Sequence, residues 1–182
     1  YLLQETNLFF DWYLPLFLSK KKVEDIKKKT KKILLKLYKK LNFKNKYFVH
    51  RDYHVQNLMK VGERIGVIDS QDSLIGNPTY DLVSLIDDVR IKTSKKLKKE
   101  IYNYCLKNNL KICRNESKIF LEDFNILSVQ RSLKIIGIFS RLLKRDKKKR
   151  YMKFIPYTWK LLEMRMKSKI FSDLKKILDK NI

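Results

Sequence analysis

A chain of 182 residues is long enough for one substantial core, and 44% hydrophobic residues with 12% aromatics exclude wholesale disorder. The formal net charge of +24, from 43 Lys and Arg against 19 Asp and Glu, would attract nucleic acid or an anionic membrane. Yet no helix-turn-helix, RNP or zinc signature accompanies it.

Taken in chain order, the apolar stretch Asn7 to Leu18 contains Asp11 and Pro15 and is too short to span a bilayer. It has neither the basic leader nor the cleavage site of a signal peptide, so a cytoplasmic protein is expected. From Val23, the apolar set Ile26, Ile33, Leu34, Leu37, Tyr38 and Leu41 recurs mostly every three or four residues. That spacing predicts a helix of about 20 residues with one buried face and wet lysines. The basic runs Lys20 to Lys22, Lys27 to Lys29, Lys95 to Lys99 and Lys144 to Arg150 fall mostly on polar sides of such helices. Lys, Asn, Ile, Tyr and Phe are abundant together, as an A/T-rich coding sequence would give. A nucleic-acid surface stays open as the less favoured reading.

Residues 50 to 72 carry the chemistry. His50-Arg51-Asp52-Tyr53-His54-Val55-Gln56-Asn57 fits the pattern H-R-D-x-x-x-x-N. A kinase needs a carboxylate to receive the acceptor hydroxyl's proton and hard oxygen ligands to hold magnesium against nucleotide phosphates. Asp52 takes the first role, and Asn57 offers an amide oxygen for the second. Leu58, Met59 and Val61 lead to a Gly62-Glu63 turn, and Ile65, Val67 and Ile68 lead back. The resulting hairpin brings Asp69, the second metal ligand, near Asn57. After Asp69 only residues 70 to 79 precede an apparent helix start at Tyr80-Asp81-Leu82. That is too short for the peptide-docking segment of a protein kinase, so a small acceptor is expected.

Further helices are expected from about Tyr80 to Val89, and from Ser94, as N-cap, to about Asn108. A long one is marked by Phe120, Phe124, Leu127, Leu133, Ile136 and Phe139, and two more cover Tyr151 to Lys167, started or kinked by Pro156, and Ser168 to Asp179. Cys105 and Cys113 have no metal-ligand spacing and read as reduced thiols.

At these residues the chain resembles the aminoglycoside phosphotransferase superfamily, and more closely its bacterial sugar kinases, which phosphorylate N-acetylmuramate and N-acetylglucosamine at the anomeric hydroxyl in cell-wall recycling. Glu5 with Leu8-Phe9-Phe10-Asp11-Trp12-Tyr13-Leu14 is similar to an opening helix of the carboxy-terminal lobe. His50 to Met59 is similar to the catalytic loop, Ile68 to Asp72 with Gly76 to Leu82 to the metal-binding segment, and Gln130 to Phe139 with Arg145-Asp146 to a later helix. Ser70 stands where the family usually has Phe, and Asn77 intervenes where Gly usually adjoins Pro.

The resemblance implies a mainly α fold with a small β hairpin, the carboxy-terminal lobe of a protein-kinase-like fold with its amino-terminal β lobe missing. It is expected as a single lobe over 1–182, with a catalytic and metal-binding core at about 47–90 and a helical substrate region at about 94–182. It implies an ATP- and Mg2+-dependent kinase for a small sugar acceptor, inactive as an isolated fragment, with a non-catalytic kinase-like module as the alternative. Asp52 would act as base. His54 would approach the transferred phosphoryl group or, equally, shape the loop by a hydrogen bond. Asn57 and Asp69 would hold the metal, and His50 and Asp81 would support the loop. Gln71, Asp72, Gln130 and Arg131 are substrate candidates by resemblance alone, and ordinary surface or interhelix polar contacts are the safer reading of them. The oligomeric state is left open.

Overall fold

The computed structural model describes residues 1–43, 46–108 and 117–182, so Cys113 lies outside the described residues. The chain is mostly helical with two small antiparallel sheets and divides into two compact units. The first comprises Tyr1–Lys40 and Val129–Ile182, the second Leu41–Ser128. Among the described residues no helix is long and apolar enough to cross a membrane.

The first unit opens with α1 (Leu2–Leu8), whose path continues through a π-helical turn, Phe9–Tyr13, and a 3-10 turn at Leu14–Leu16 that contains Pro15. Helix α2 (Lys20–Lys39) buries Val23, Ile26, Thr30, Leu34 and Leu37, a spacing of three or four residues that keeps one stripe inside and leaves most of its lysines wet. Ile33 and Tyr38 lie at the stripe's margin and Leu41 beyond the helix end. The Tyr38 hydroxyl lies 2.8 Å from Thr6 Oγ1. Because Thr6 gives its own proton to the Leu2 carbonyl, Tyr38 is the donor, and burial pushes its phenol well above the ordinary range.

The long helix α5 (Ser117–Lys144) contributes residues 129–144 to this unit, joined by α6 (Ile155–Arg165) and α7 (Ser172–Asn181). Pro156 sits in the first turn of α6, where its missing N–H costs nothing. Glu5 of α1 is buried against α5, accepting from Lys134 Nζ and Gln130 Nε2, each at 2.9 Å.

The crossing that makes this contact possible is at Gly137. A Cβ there would stand 2.3 Å from the Leu8 carbonyl carbon and 2.5 Å from the Phe9 nitrogen, so two backbones approach where only glycine fits. The π turn begins at that point of contact. Since the clash is with main chain, Gly137→Ala is expected to cost ~1–3 kcal/mol of overpacking and to lower the melting temperature by several degrees. Thermal unfolding checks this, and an unchanged midpoint would mean that the crossing can open freely.

The second unit holds the strands. β1 (Tyr47–Val49) pairs antiparallel with β4 (Leu74–Gly76), with Tyr47 opposite Gly76 and Val49 opposite Leu74. β2 (Leu58–Val61) pairs with β3 (Arg64–Val67), from Leu58 opposite Val67 to Val61 opposite Arg64. Gly62 takes a positive φ of 60° in the turn between them. Met59, Val61, Ile65, Val67 and Ile68 all remain exposed along this hairpin.

Helix α3 (Thr79–Ile86) follows β4, and α4 (Lys95–Asn108) starts after Ser94, whose Oγ accepts the Leu97 N–H at 3.1 Å, as an N-cap should. Phe120 and Phe124, in the α5 segment of this unit, pack in the core with Tyr102 of α4. Cys105 is a free thiol whose pKa burial pushes up, so it is protonated at neutral pH.

Candidate active site

The second unit assembles the 50–72 segment from both sheets. β1 delivers the chain to His50, and the β2–β3 hairpin starts just after Asn57. The hairpin closes on itself: the Ile68 N–H donates to the Asn57 carbonyl at 3.0 Å, so Asp69 emerges one residue from a direct link to Asn57. The return predicted from the alternating apolar residues is therefore the one observed.

Two non-glycine residues here take left-handed backbone, Arg51 at φ 71° and Asp69 at φ 68°. This region disfavours side chains, so such residues persist only where surrounding contacts hold them. Those contacts are visible. The N–H groups of His50 and Arg51 both donate to the Asp81 carboxylate, at 2.7 and 3.0 Å. Asp81 lies in the first turn of α3, so a rigid helix braces the loop. The His50 ring is buried, and its Nε2 lies 2.9 Å from the Ile68 carbonyl. That carbonyl can only accept, so Nε2 carries the proton and His50 ties the loop to the end of the hairpin. Arg51 Nη1 donates to the Asp72 carbonyl at 3.1 Å, joining the loop to the segment beyond Asp69.

Within this frame Asp52 uses its main chain and leaves its side chain open. Its carbonyl accepts the His54 N–H and the Asn57 Nδ2–H, both at 2.9 Å, while its half-buried carboxylate accepts no hydrogen bond from the described residues. Asn57 is buried with its amide N–H turned to Asp52, and its Oδ1 has no partner among the described residues. Asp69 is exposed. Its Oδ1 accepts from Gln71 Nε2 at 2.6 Å, and Oδ2 is uncommitted. An amide oxygen and a carboxylate oxygen are the hard donors that magnesium takes, so the residues present fit that ion. Among the described residues no three His, Cys, Asp or Glu side chains gather as a metal cluster, and a pair built on Asn57 is not of that kind.

The substrate candidates divide between the units. Gln71 and Asp72 are exposed in the second, and Gln71 is tied to Asp69. Gln130 and Arg131 belong to the first, where both are buried. The amide N–H of Gln130 is spent on Glu5, with a longer bond of 3.3 Å to the Leu2 carbonyl, so Gln130 serves an interhelix contact there. His54 is buried, and its main chain shapes the loop by donating to Asp52 and accepting from Asn57, each at 2.9 Å.

Sequence reasoning passed over one residue that the geometry makes central. Asp123, fully buried, gathers backbone and side-chain donors from Asn42, Phe43 and Asn77. A signal existed: Asp123 falls on the same helical face as Phe120, Phe124 and Leu127, and an acid in line with an apolar stripe must find partners inside.

Comparison with known proteins adds a family. Residues 4–104 match the model of the phosphotransferase enzyme family. The chain is 32% identical over 140 residues to an N-acetylmuramate/N-acetylglucosamine kinase of Caulobacter vibrioides, an alignment covering 74% of this chain and 38% of that protein. It is 33% identical to proteins of the same name from Pseudomonas aeruginosa, covering 88% of this chain and 48% of the relative, and Neisseria meningitidis, covering 85% and 47%. The chain thus spans half or less of the length of these relatives.

Proposed function

The chain belongs to the phosphotransferase enzyme family, and from that premise we propose that it is the base- and metal-bearing lobe of a protein-kinase-like enzyme that moves a phosphoryl group from ATP to the anomeric hydroxyl of an amino sugar in cell-wall recycling. The observation that carries this reading is the free carboxylate of Asp52 beside a hairpin that brings Asn57 and Asp69 together. Asp52 orients the acceptor hydroxyl and takes its proton as the new P–O bond forms. Asp81 and His50 keep that carboxylate in place by holding the loop on both sides. Asn57 and Asp69 would hold magnesium, which neutralises charge on the nucleotide phosphates when bound. Gln71 steadies Asp69, and Asp72 faces solvent where an acceptor could meet it.

Charge supports the choice of acceptor. An aminoglycoside site must offset several ammonium groups with clustered carboxylates, whereas this chain carries 43 basic against 19 acidic residues. The net field repels a polycation and steers an anionic sugar inward, while a neutral sugar meets no such penalty. For the complete protein, kcat/KM at physiological salt is expected to favour N-acetylmuramate or N-acetylglucosamine over kanamycin-type acceptors. A clear preference for the antibiotics would overturn the acceptor and leave the phosphotransferase reading standing.

A further inference from the structure

Asp123 and Asn77 form a buried clamp in the second unit. Both are at most 1% exposed. The Asp123 carboxylate accepts the Asn42 N–H at 2.9 Å and, more weakly, its side-chain Nδ2–H at 3.1 Å. The other oxygen accepts the Phe43 N–H at 2.9 Å and the Asn77 Nδ2–H at 2.7 Å. No Lys, Arg or His pairs with Asp123 among the described residues, so its charge is held by these dipoles alone. A buried carboxylate left without such donors would cost several kcal/mol.

Asn77 extends the clamp in two directions. Its Nδ2 also donates to the Phe43 carbonyl at 3.1 Å, and its Oδ1 accepts the Thr79 N–H at 3.0 Å and the Thr79 Oγ1–H at 2.9 Å. Thr79 is the first residue of α3, so Asn77 fixes the start of the helix that carries Asp81. Meanwhile Asn42 and Phe43 precede β1, and Asn77 directly follows β4, whose Gly76 is paired with Tyr47. The clamp therefore secures one end of the β1–β4 ladder, and at the other end of β1 the Asp81 carboxylate receives the His50 and Arg51 N–H groups.

We infer that the Asp123–Asn77 pair is a positioning device for the catalytic loop, setting the place of Asp52 through β1 on one side and through α3 and Asp81 on the other. This rests on the reading of residues 50–57 as that loop. Neither residue touches Asp52, so both are positioning residues rather than catalytic ones.

The test uses the complete protein with Asp123→Asn, and with Asn77→Ala as a milder variant that leaves Asn42 and Phe43 on Asp123. Hydrogen exchange over residues 47–57 is expected to quicken about tenfold in both, although Asp81 and its two donors are unaltered. Turnover falls about tenfold or more while KM for nucleotide and sugar stays within about twofold, since ångström-scale misplacement costs rate rather than affinity. Ser128→Ala breaks the buried 2.7 Å bond from Ser128 to Asp87 in the same unit and supplies the control for simple destabilisation. It should leave both readouts unchanged. Unaltered exchange over 47–57 in a folded variant, or an equal change with Ser128→Ala, overturns the clamp. If the unsubstituted protein phosphorylates no sugar, the function proposed above fails, and the exchange data still decide the clamp.

Discussion

Replacing Asp52 by Asn in the complete protein is expected to lower turnover by about a hundredfold or more while nucleotide binding and fold are retained, because general-base assistance commonly contributes factors of that order. The substitution is clean for a structural reason. The loop is held through the main-chain carbonyl of residue 52, which accepts from His54 and Asn57, and these bonds survive any change of the side chain. Asn matches the shape of Asp but is neutral and cannot accept a proton. Single-turnover kinetics isolate the chemical step. Unchanged turnover with chemistry rate-limiting would remove Asp52 from the mechanism.

The second large effect belongs to Asp69. Asp69→Asn keeps a residue that tolerates the left-handed backbone at φ 68° and can still accept from Gln71, whereas Ala at this position would add strain of its own. The loss of charge is expected to raise the magnesium requirement and to reduce turnover on the order of a thousandfold, the several kcal/mol that a metal contributes to phosphoryl transfer. Asp72→Ala should act instead on acceptor KM. Its side chain is exposed and only its carbonyl is engaged, by Arg51, so the loop survives the change. Magnesium and acceptor titrations, with direct Mn2+ binding as a readout independent of activity, separate the two. A magnesium defect in Asp72→Ala without one in Asp69→Asn reverses the assignment.

Much of this site was legible because its signals are local. The Gly62-Glu63 turn between two short apolar runs announces a hairpin, and the observed pairing of Leu58 with Val67 brings the chain back beside Asn57. The stripe Val23, Ile26, Leu34, Leu37 and the cap at Ser94 likewise report on helices through neighbours three and four residues away. What escaped depends on partners distant in sequence. The β1–β4 ladder joins two three-residue strands too short to carry a periodic pattern, and its register is fixed by Asp81 and Asp123 rather than by apolar alternation. The π turn at Phe9–Tyr13 escaped because nothing near Phe9 announces it, and the glycine that its first residue packs against, Gly137, lies more than a hundred residues away. Gln130 was a substrate candidate by resemblance alone, with an interhelix contact as the safer reading, and the partner of that contact, Glu5, lies too far away in sequence to be named from the helix pattern.

The hairpin that presents Asp69 has a second property, set by its open edges. β2 and β3 form a two-stranded sheet, so each keeps one edge without a strand partner among the described residues, and Met59, Val61 and Ile65, each at least half exposed, decorate it. An edge of that kind is a template for strand addition by a neighbouring molecule. Its counterweight is the +24 charge, which makes every copy repel every other. The reach of that repulsion shrinks from ~30 Å at 0.01 M salt to ~8 Å at 0.15 M. Raising the salt is therefore expected to let two such edges approach more closely, with the like charge of the lysines as the opposing force.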